Sequence, residues 1–142
     1  MSNGDKTDKL PHRTVCYTSN ASGWSFIPSA IVQTPHDGKN PKMSALGFQD
    51  YDGTFKEGLL VMVEKSGCMS KRTFFQWCIH FVQNLPRGQG PGGMPAFLLV
   101  DGHSSRRSTE ALLYLRANNV HAICLPSHTS IWGQVHSCVA LI

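Results

Sequence analysis

Short runs of apolar residues, separated by turn-forming residues, fill the first half of the chain. Residues 14–18 and 24–33 are rich in the β-branched and aromatic residues that favour strands, and residues 20–23 (N-A-S-G) between them are typical of a turn. The pattern predicts a hairpin. Pro28 has no N–H to donate, so we expect the second strand to lie at a sheet edge or to be bulged there. Residues 59–63 predict a third strand.

The apolar pattern then changes to a helical period. Five apolar residues at spacings of i, i+4, i+7, i+8 and i+11 form one stripe: Phe74, Cys78, Phe81, Val82 and Leu85. We predict a helix that Ser70 caps and Pro86 ends. His80 lies off this stripe and is expected to be exposed. Phe75 and Trp77 are expected to pack against the protein rather than to stack on bases.

A strand, a second helix and a further strand are predicted after the first helix. Residues 96–100 are an apolar run too short for a helix, which indicates a buried strand. Residues 108–119 predict a helix capped by Ser108, with three residues facing inward: Ala111, Leu112 and Leu115. Residues 120–125 predict another strand, which Pro126 ends. This order is typical of an α/β unit whose last two strands are parallel with a right-handed crossover.

The other segments are polar or rich in glycine and proline. We interpret residues 1–12 as a polar tail, residues 34–58 as a long loop and residues 87–95 as a flexible linker. The length of 142 residues fits one domain, here residues 13–142. No apolar run approaches the roughly 20 residues of a membrane-spanning helix, so neither a membrane span nor a signal peptide is predicted. The five cysteines form no C-x-x-C pair and are expected to be free thiols.

The net charge of +4 hides an asymmetry along the chain. Residues 1–64 contain six Lys+Arg and seven Asp+Glu, a balance of −1. Residues 65–142 contain seven Lys+Arg and only two acids, a balance of +5. A basic half favours polyanionic partners, with nucleic acid first among them. A solvated basic surface is the alternative, because no Lys/Arg run is longer than two residues.

Asp101 is the first candidate for chemistry. It directly follows the predicted strand at residues 96–100, and ligands of open α/β sheets gather at the carboxyl ends of strands. Gly102 permits a sharp turn after it. A carboxylate in this position suits a hard cation such as Mg²⁺. A carboxylate that only caps the next turn fits the sequence equally well.

Four further side chains are candidates for phosphate contacts. Arg106 and Arg107 closely follow Asp101, whereas His128 and Thr129 lie in a polar loop after the last predicted strand. If the two strands are parallel, both loops leave the same edge of the sheet. Guanidinium, hydroxyl and imidazole groups commonly contact phosphates. A solvated turn around the arginines and an ordinary proline-initiated turn at residues 125–130 remain the alternatives.

These two loops carry a family resemblance. L-L-V-D-G-H-S-S-R, followed by a helix and N-N-V-H-A-I-C-L-P-S-H-T-S, resembles the DDE superfamily endonuclease domain of pogo- and jerky-like transposases. That family shows a D-G-H-x-S-H-like block, a helix, an L-P-P-H-T-[ST] block and then Q-P-L-D. Earlier parts of the chain are also similar: T-V-C-Y-T-S-N-A-S-G-W to a strand with an A-D-G turn, I-P-S-A-I-V to P-P-x-x-I, and G-C-M-S to G-W-M-[ST].

The resemblance implies a ribonuclease-H-like fold, a mixed sheet with flanking helices, in which three carboxylates hold two Mg²⁺ or Mn²⁺ ions for DNA cleavage. Asp101 matches the second carboxylate and is the implied metal ligand. Ser137 stands at the third position, where a neutral hydroxyl is a poor ligand for Mg²⁺. The first carboxylate of the family belongs to a strand upstream of the hairpin. We expect this chain to begin after that strand, and therefore to have an incomplete sheet with an open edge.

The resemblance thus implies a transposase-derived domain that binds DNA in the nucleus and lacks catalysis, since one of three carboxylates is present. Self-association or a partner chain is expected at the open edge. A domesticated, non-enzymatic module that binds protein or DNA is the alternative. A zinc site is a further one, with four possible ligands: Cys124, His128, His136 and Cys138. Their spacing departs from standard zinc sites, and Cys124 also fits a buried strand position. A Cys/His hydrolase ranks lower, because no nucleophile motif surrounds any cysteine.

Overall fold

The described part of the chain forms a mixed α/β structure with two three-stranded sheets. The computed structural model describes residues 12–23, 27–34, 59–125 and, for the backbone alone, 138–141. The elements in chain order are strands β1 (Arg13–Cys16), β2 (Ala30–Gln33) and β3 (Leu60–Val63), helix α1 (Lys71–Gln83), strand β4 (Ala96–Val100), a short 3₁₀ helix (Ser104–Arg106), helix α2 (Thr109–Ala117), and strands β5 (Val120–Cys124) and β6 (Cys138–Leu141). All of the predicted tail except His12 and most of the predicted long loop lie outside the described residues.

The first sheet has the order β1-β2-β3. β1 and β2 are antiparallel, which confirms the predicted pairing, and β3 is parallel to β2. The predicted turn closes with a hydrogen bond of 3.0 Å from Gly23 N to Asn20 O, and Gly23 has a φ of 81°. The prediction that Pro28 marks an edge strand or a bulge is wrong. β2 is the central strand and begins at Ala30, so Pro28 precedes the hydrogen-bonded ladder.

The second sheet has the order β5-β4-β6. β4 and β5 are parallel, as predicted, with Ala96 opposite Val120. β6 pairs antiparallel with β4 on its other side and was not predicted. β4 is buried on one face only: Leu98 is fully buried, whereas Phe97 is 47% exposed. The prediction of a buried strand is therefore confirmed for the face that packs against the helices, whereas Phe97 on the other face is exposed.

Helix α1 begins with a reciprocal capping box. Thr73 N donates to Ser70 Oγ at 3.2 Å, and Ser70 N donates to Thr73 Oγ1 at 2.8 Å. These bonds satisfy backbone donors that the first turn leaves free. The helix ends at Gln83 with Asn84 as its C-cap, so both predicted ends are confirmed to within a few residues. Helix α2 begins after Ser108, whose Oγ accepts from Ala111 N at 3.4 Å.

One hydrophobic core joins both sheets to the two helices. Helix α1 contributes four fully buried apolar side chains: Phe74, Trp77, Cys78 and Phe81. The Trp77 ring centroid lies 5.8 Å from that of Phe74 and 5.4 Å from that of Phe81. The expectation that Trp77 packs within the protein is confirmed. Helix α2 buries Ala111 and Leu115 as predicted, whereas Leu112 is only half-buried.

The expectation that His80 is exposed is wrong. His80 is 8% exposed, and its Nε2 lies 2.9 Å from the carbonyl oxygen of Pro28. Its Nδ1 lies 3.3 Å from Asn84 Nδ2. Nε2 therefore carries the proton donated to Pro28, and Nδ1 accepts from the amide of Asn84. Two hydrogen bonds offset the cost of burying this polar ring, and the one to Pro28 fastens α1 to the segment before β2.

The predicted linker at residues 87–95 is a hydrogen-bonded loop. Gly90 N donates to Met94 O at 2.9 Å, and Met94 N donates to Gly88 O at 2.7 Å. Asn119 Nδ2 donates to Gly93 O at 3.0 Å and so ties the loop to the turn that precedes β5. Across the described parts of the chain, no helix has both the length and the apolar character needed to cross a bilayer.

Candidate nucleic-acid interface at the end of strand β4

Asp101 leaves the sheet at the carboxyl end of β4, directly after Val100. Its side chain is 26% exposed. Leu125 N donates to Val100 O at 2.9 Å and extends the ladder between β4 and β5 to their last residues. Because the two strands are parallel, the chain that follows Leu125 starts from the same edge of the sheet as Asp101. This confirms the predicted geometry of the two strand ends.

A guanidinium group lies beside the Asp101 carboxylate. Arg106 Nε is 3.4 Å from Asp101 Oδ1, and the same oxygen accepts from His103 N at 3.3 Å. The Arg106 side chain is only 5% exposed, and its guanidinium carbon lies 5.3 Å from the centroid of the Phe74 ring. Phe74 and the carboxylate therefore hold this cation from two sides, through a cation–π contact and an ion pair.

Ser105 and His103 extend this network. Arg106 Nη1 donates to Ser105 Oγ at 2.8 Å, and Ser105 Oγ lies 2.8 Å from His103 Nδ1. Since the arginine nitrogen can only donate, the serine hydroxyl proton is directed at Nδ1. Ser105 N also donates to Nδ1 at 3.3 Å, so Nδ1 acts as the acceptor and Nε2 carries the ring proton. Ser105 is buried, which makes it a support for the loop rather than an accessible nucleophile.

The network separates the two arginines that were predicted to contact phosphate. Arg107 is exposed at the surface of the loop, where a polyanion can reach it, and so is His103, which was not among the predicted residues. Arg106 is 4% exposed and engaged with Asp101, so in this arrangement it positions the loop and does not present its guanidinium to a ligand. His128, Thr129 and Ser137 lie outside the described residues.

Among the described residues, the groups around Asp101 do not form a two-metal site. A divalent cation at this carboxylate would have to compete with the positive charge of Arg106 for Oδ1. Within residues 12–23, 27–34 and 59–125, no three His, Cys, Asp or Glu side chains are grouped so that they could hold a metal ion. Of the zinc candidates, Cys124 is exposed rather than buried in the strand as expected, because it ends the outer strand β5. The side chains of His128, His136 and Cys138 are outside the described set.

Sequence reasoning missed Ser105 and Phe74 as supports of this loop. Asp101 and Arg106 are five residues apart across a glycine, a spacing at which a turn can return a cation to a carboxylate. This spacing was the signal in the sequence for the ion pair between Asp101 and Arg106. Nothing in the local sequence indicates that Phe74, on a different element, lies under the guanidinium.

Comparisons with known proteins give one distant similarity. No model of a known protein family matches the chain, and no solved structure matches it. A stretch of 111 residues, 78% of this chain, is 24% identical to a protein of Cochliobolus lunatus named MFS-type transporter clz9. The matched part is 11% of the length of that protein, so the similarity concerns a small segment of a much longer chain.

Proposed function

We propose that this chain is a transposase-derived, ribonuclease-H-like DDE endonuclease domain that binds nucleic acid in the nucleus without cutting it. The observation that carries the proposal is the position of Asp101 at the end of β4, beside parallel β5, with Arg107 and His103 exposed in the same loop. This arrangement fits the D-G-H-x-S-H-like block in which the resemblance lies. Ligand sites of open α/β sheets lie at such strand ends.

The ion pair supports the loss of cleavage. In two-metal phosphoryl transfer, carboxylates bind cations that stabilise the attacking and leaving oxygens. Here the carboxylate that matches the family lies against the nearly buried guanidinium of Arg106. Ser137, at the third position of the family pattern, has no charge to offer a metal. We therefore propose that this chain does not cleave DNA.

Nucleic-acid binding follows from the charge of the same half of the chain. Residues 65–125 contain all seven Lys+Arg of the basic half and both of its acids. One of those acids, Asp101, is neutralised by Arg106. The exposed guanidinium of Arg107 is thus free of the neighbouring carboxylate and can neutralise a phosphate. Binding of this kind is sequence-independent and weakens as salt rises.

The test is the binding of a short fluorescein-labelled DNA duplex, followed by anisotropy between about 50 and about 200 mM salt. We expect a complex whose affinity falls with salt, and we expect Arg107→Gln to lower the salt slope by about one. Arg72→Gln is the matched control, because Arg72 is held by Glu64 and by the Val63 carbonyl and lies on another element. A fluorescent fusion imaged in cells tests the nuclear location.

Cleavage is assayed with the same duplex in Mg²⁺ and in Mn²⁺. We expect intact DNA with both ions, and the same DNA affinity for Asp101→Asn as for the unaltered chain. Metal-dependent cleavage that Asp101→Asn abolishes would show an active nuclease and overturn the proposed loss of catalysis. The absence of any DNA complex at low salt would overturn the binding function itself.

A further inference from the structure

Strand β5 is the outer strand of its sheet among the described strands. Ala96 N donates to Asn119 O at 3.0 Å and Leu125 N donates to Val100 O at 2.9 Å, so the odd-numbered residues from 119 to 125 face β4 with their backbone groups. In a parallel ladder these groups alternate between the two sides of the strand. The N–H and C=O groups of Val120, Ala122 and Cys124 therefore point away from the sheet. Val120 is buried, so the groups of Ala122 and Cys124 are the accessible ones, facing the position of a further strand.

A groove runs beside this free edge. It has a volume of about 300 Å³ and lies between α2 and β5. It is lined by Leu112, Arg116, Val120, His121 and Ala122. The guanidinium of Arg116 thus lies among mainly apolar residues. Free backbone groups next to a groove for alternate side chains are the features by which a sheet edge binds an extended peptide.

The opposite face of the sheet continues the same edge with apolar surface. Ile123 is 46% exposed and Phe97 is 47% exposed. The ring of His121 lies 5.5 Å from that of Phe97, so it covers part of β4 and leaves Ile123 at the rim. A strand added to β5 would thus have its alternate side chains beside Ile123 on one face and beside Arg116 on the other.

The charge at this edge selects the partner. Arg116 is exposed in the last turn of α2 and forms no ion pair with any residue of the described ranges. The positive charge of Arg116 complements the carboxyl end of the helix dipole, which explains why a cation stands in the last turn. The exposed side of the guanidinium can still bind a carboxylate. An acidic segment complements this charge.

We propose that the free edge of β5 binds an extended, acidic segment of a partner protein by strand addition, with a carboxylate of that segment on Arg116. Alternate apolar residues of the segment lie beside Ile123. This interaction is independent of the proposed binding of DNA, which uses the loop after β4.

The probe is a soluble peptide of about eight residues in which valine and glutamate alternate, since strands in proteins are of this length. Its binding to the full chain is followed by amide chemical shifts. We expect shifts at Ala122 and Cys124, and about tenfold weaker binding by Arg116→Glu. A peptide with lysine in place of glutamate should bind poorly to the unaltered chain and better to Arg116→Glu. Arg107→Glu is the matched control and should bind the acidic peptide normally.

Two N-methylated peptides test strand addition without altering the protein. Methyl groups on one set of alternate peptide nitrogens should abolish binding, whereas methyl groups on the other set should leave it unchanged, because only one set faces β5. Equal behaviour of the two peptides, or no binding of the acidic peptide, overturns the proposal. So does an oligonucleotide that shifts the same two amides when the peptide does not, or a self-associated chain whose contact occupies β5.

Discussion

Arg106 holds Asp101 from inside the protein: its Nε lies 3.4 Å from Asp101 Oδ1, and its side chain is only 5% exposed. Arg106→Gln removes the cation and leaves a partly buried carboxylate without its counter-ion. We expect a loss of about 2–4 kcal/mol in the free energy of unfolding, measured with urea, because breaking such a pair from one side is costly. Arg107→Gln, one residue later and exposed, should change the stability by less than about 0.5 kcal/mol.

The double variant separates the ion pair from the packing of the arginine. Asp101→Asn combined with Arg106→Gln should be more stable than the sum of the two single losses predicts, because both charges are removed together. Strictly additive losses would contradict the ion pair and would assign the cost to the other contacts of Arg106, among them those with Phe74 and Ser105.

Local patterns were sufficient for the helix ends and for the parallel strand pair. Ser70 could be predicted as a cap because a helix cap bonds to a residue three positions along the same helix. The structure confirms these bonds, which join Ser70 and Thr73. The parallel pairing of β4 and β5 follows from one helix between two strands and is likewise confirmed. In these cases the deciding interactions lie within one turn or one βαβ unit.

Residues whose environment is set by distant parts of the chain were predicted poorly. His80 is buried because a carbonyl 52 residues earlier accepts its proton. Arg106 is buried because Phe74, on another helix, lies under its guanidinium. Periodicity assigns a residue to a face of its own element, but it does not identify the residue of another element that contacts that face. The part of the candidate site after residue 125 stays a prediction.

Gly67 is required by a close approach of two backbone segments. It has a φ of 67°, and a side chain there would meet the carbonyl oxygen of His12. Its own carbonyl accepts from Thr14 Oγ1 at 2.8 Å. Gly67→Ala should therefore cost more than the roughly 1–2 kcal/mol of a left-handed backbone alone. Gly23→Ala is the matched control, with a φ of 81° and open space around it, and should cost only that amount.

Thermal unfolding of the two alanine variants measures the difference. A lower melting temperature for Gly67→Ala than for Gly23→Ala is the expected order. Equal melting temperatures would show that the approach of His12 to the turn before α1 contributes nothing to stability.

His80 connects α1 to the segment before β2. His80→Leu keeps an apolar body of similar size but leaves the Pro28 carbonyl oxygen without its donor at 2.9 Å. We expect a loss of about 1–3 kcal/mol, the cost of a buried polar group that has lost its partner. His121→Leu is the control, because His121 is exposed and its ring contacts only one face of Phe97. A loss no larger than that of the control in urea unfolding would contradict the structural role of His80.

Glu64 makes the stability of the α1 start depend on pH. Ser70 Oγ donates to Glu64 Oε2 at 2.7 Å, Lys65 N donates to Oε1 at 3.1 Å, and Arg72 Nη2 lies 3.6 Å from Oε2. The Ser70 hydroxyl is the largest cause that holds the pKa of Glu64 below its ordinary value of 4.5, with smaller help from Lys65 N and Arg72, and partial burial opposes them. The carboxylate is thus favoured more strongly in the folded chain than in the unfolded chain.

Because the folded pKa is the lower one, the stabilisation by Glu64 is complete above about pH 4.5 and is lost as the pH falls through the lowered value. The difference in free energy of unfolding between the unaltered chain and Glu64→Gln should be constant near neutral pH and should shrink in acid. Arg72→Gln should keep most of this pH dependence, since Arg72 contributes less than Ser70 to the lowered pKa. Ser70→Ala should remove most of it. A difference that stays the same from neutral to acid pH would contradict the lowered pKa of Glu64.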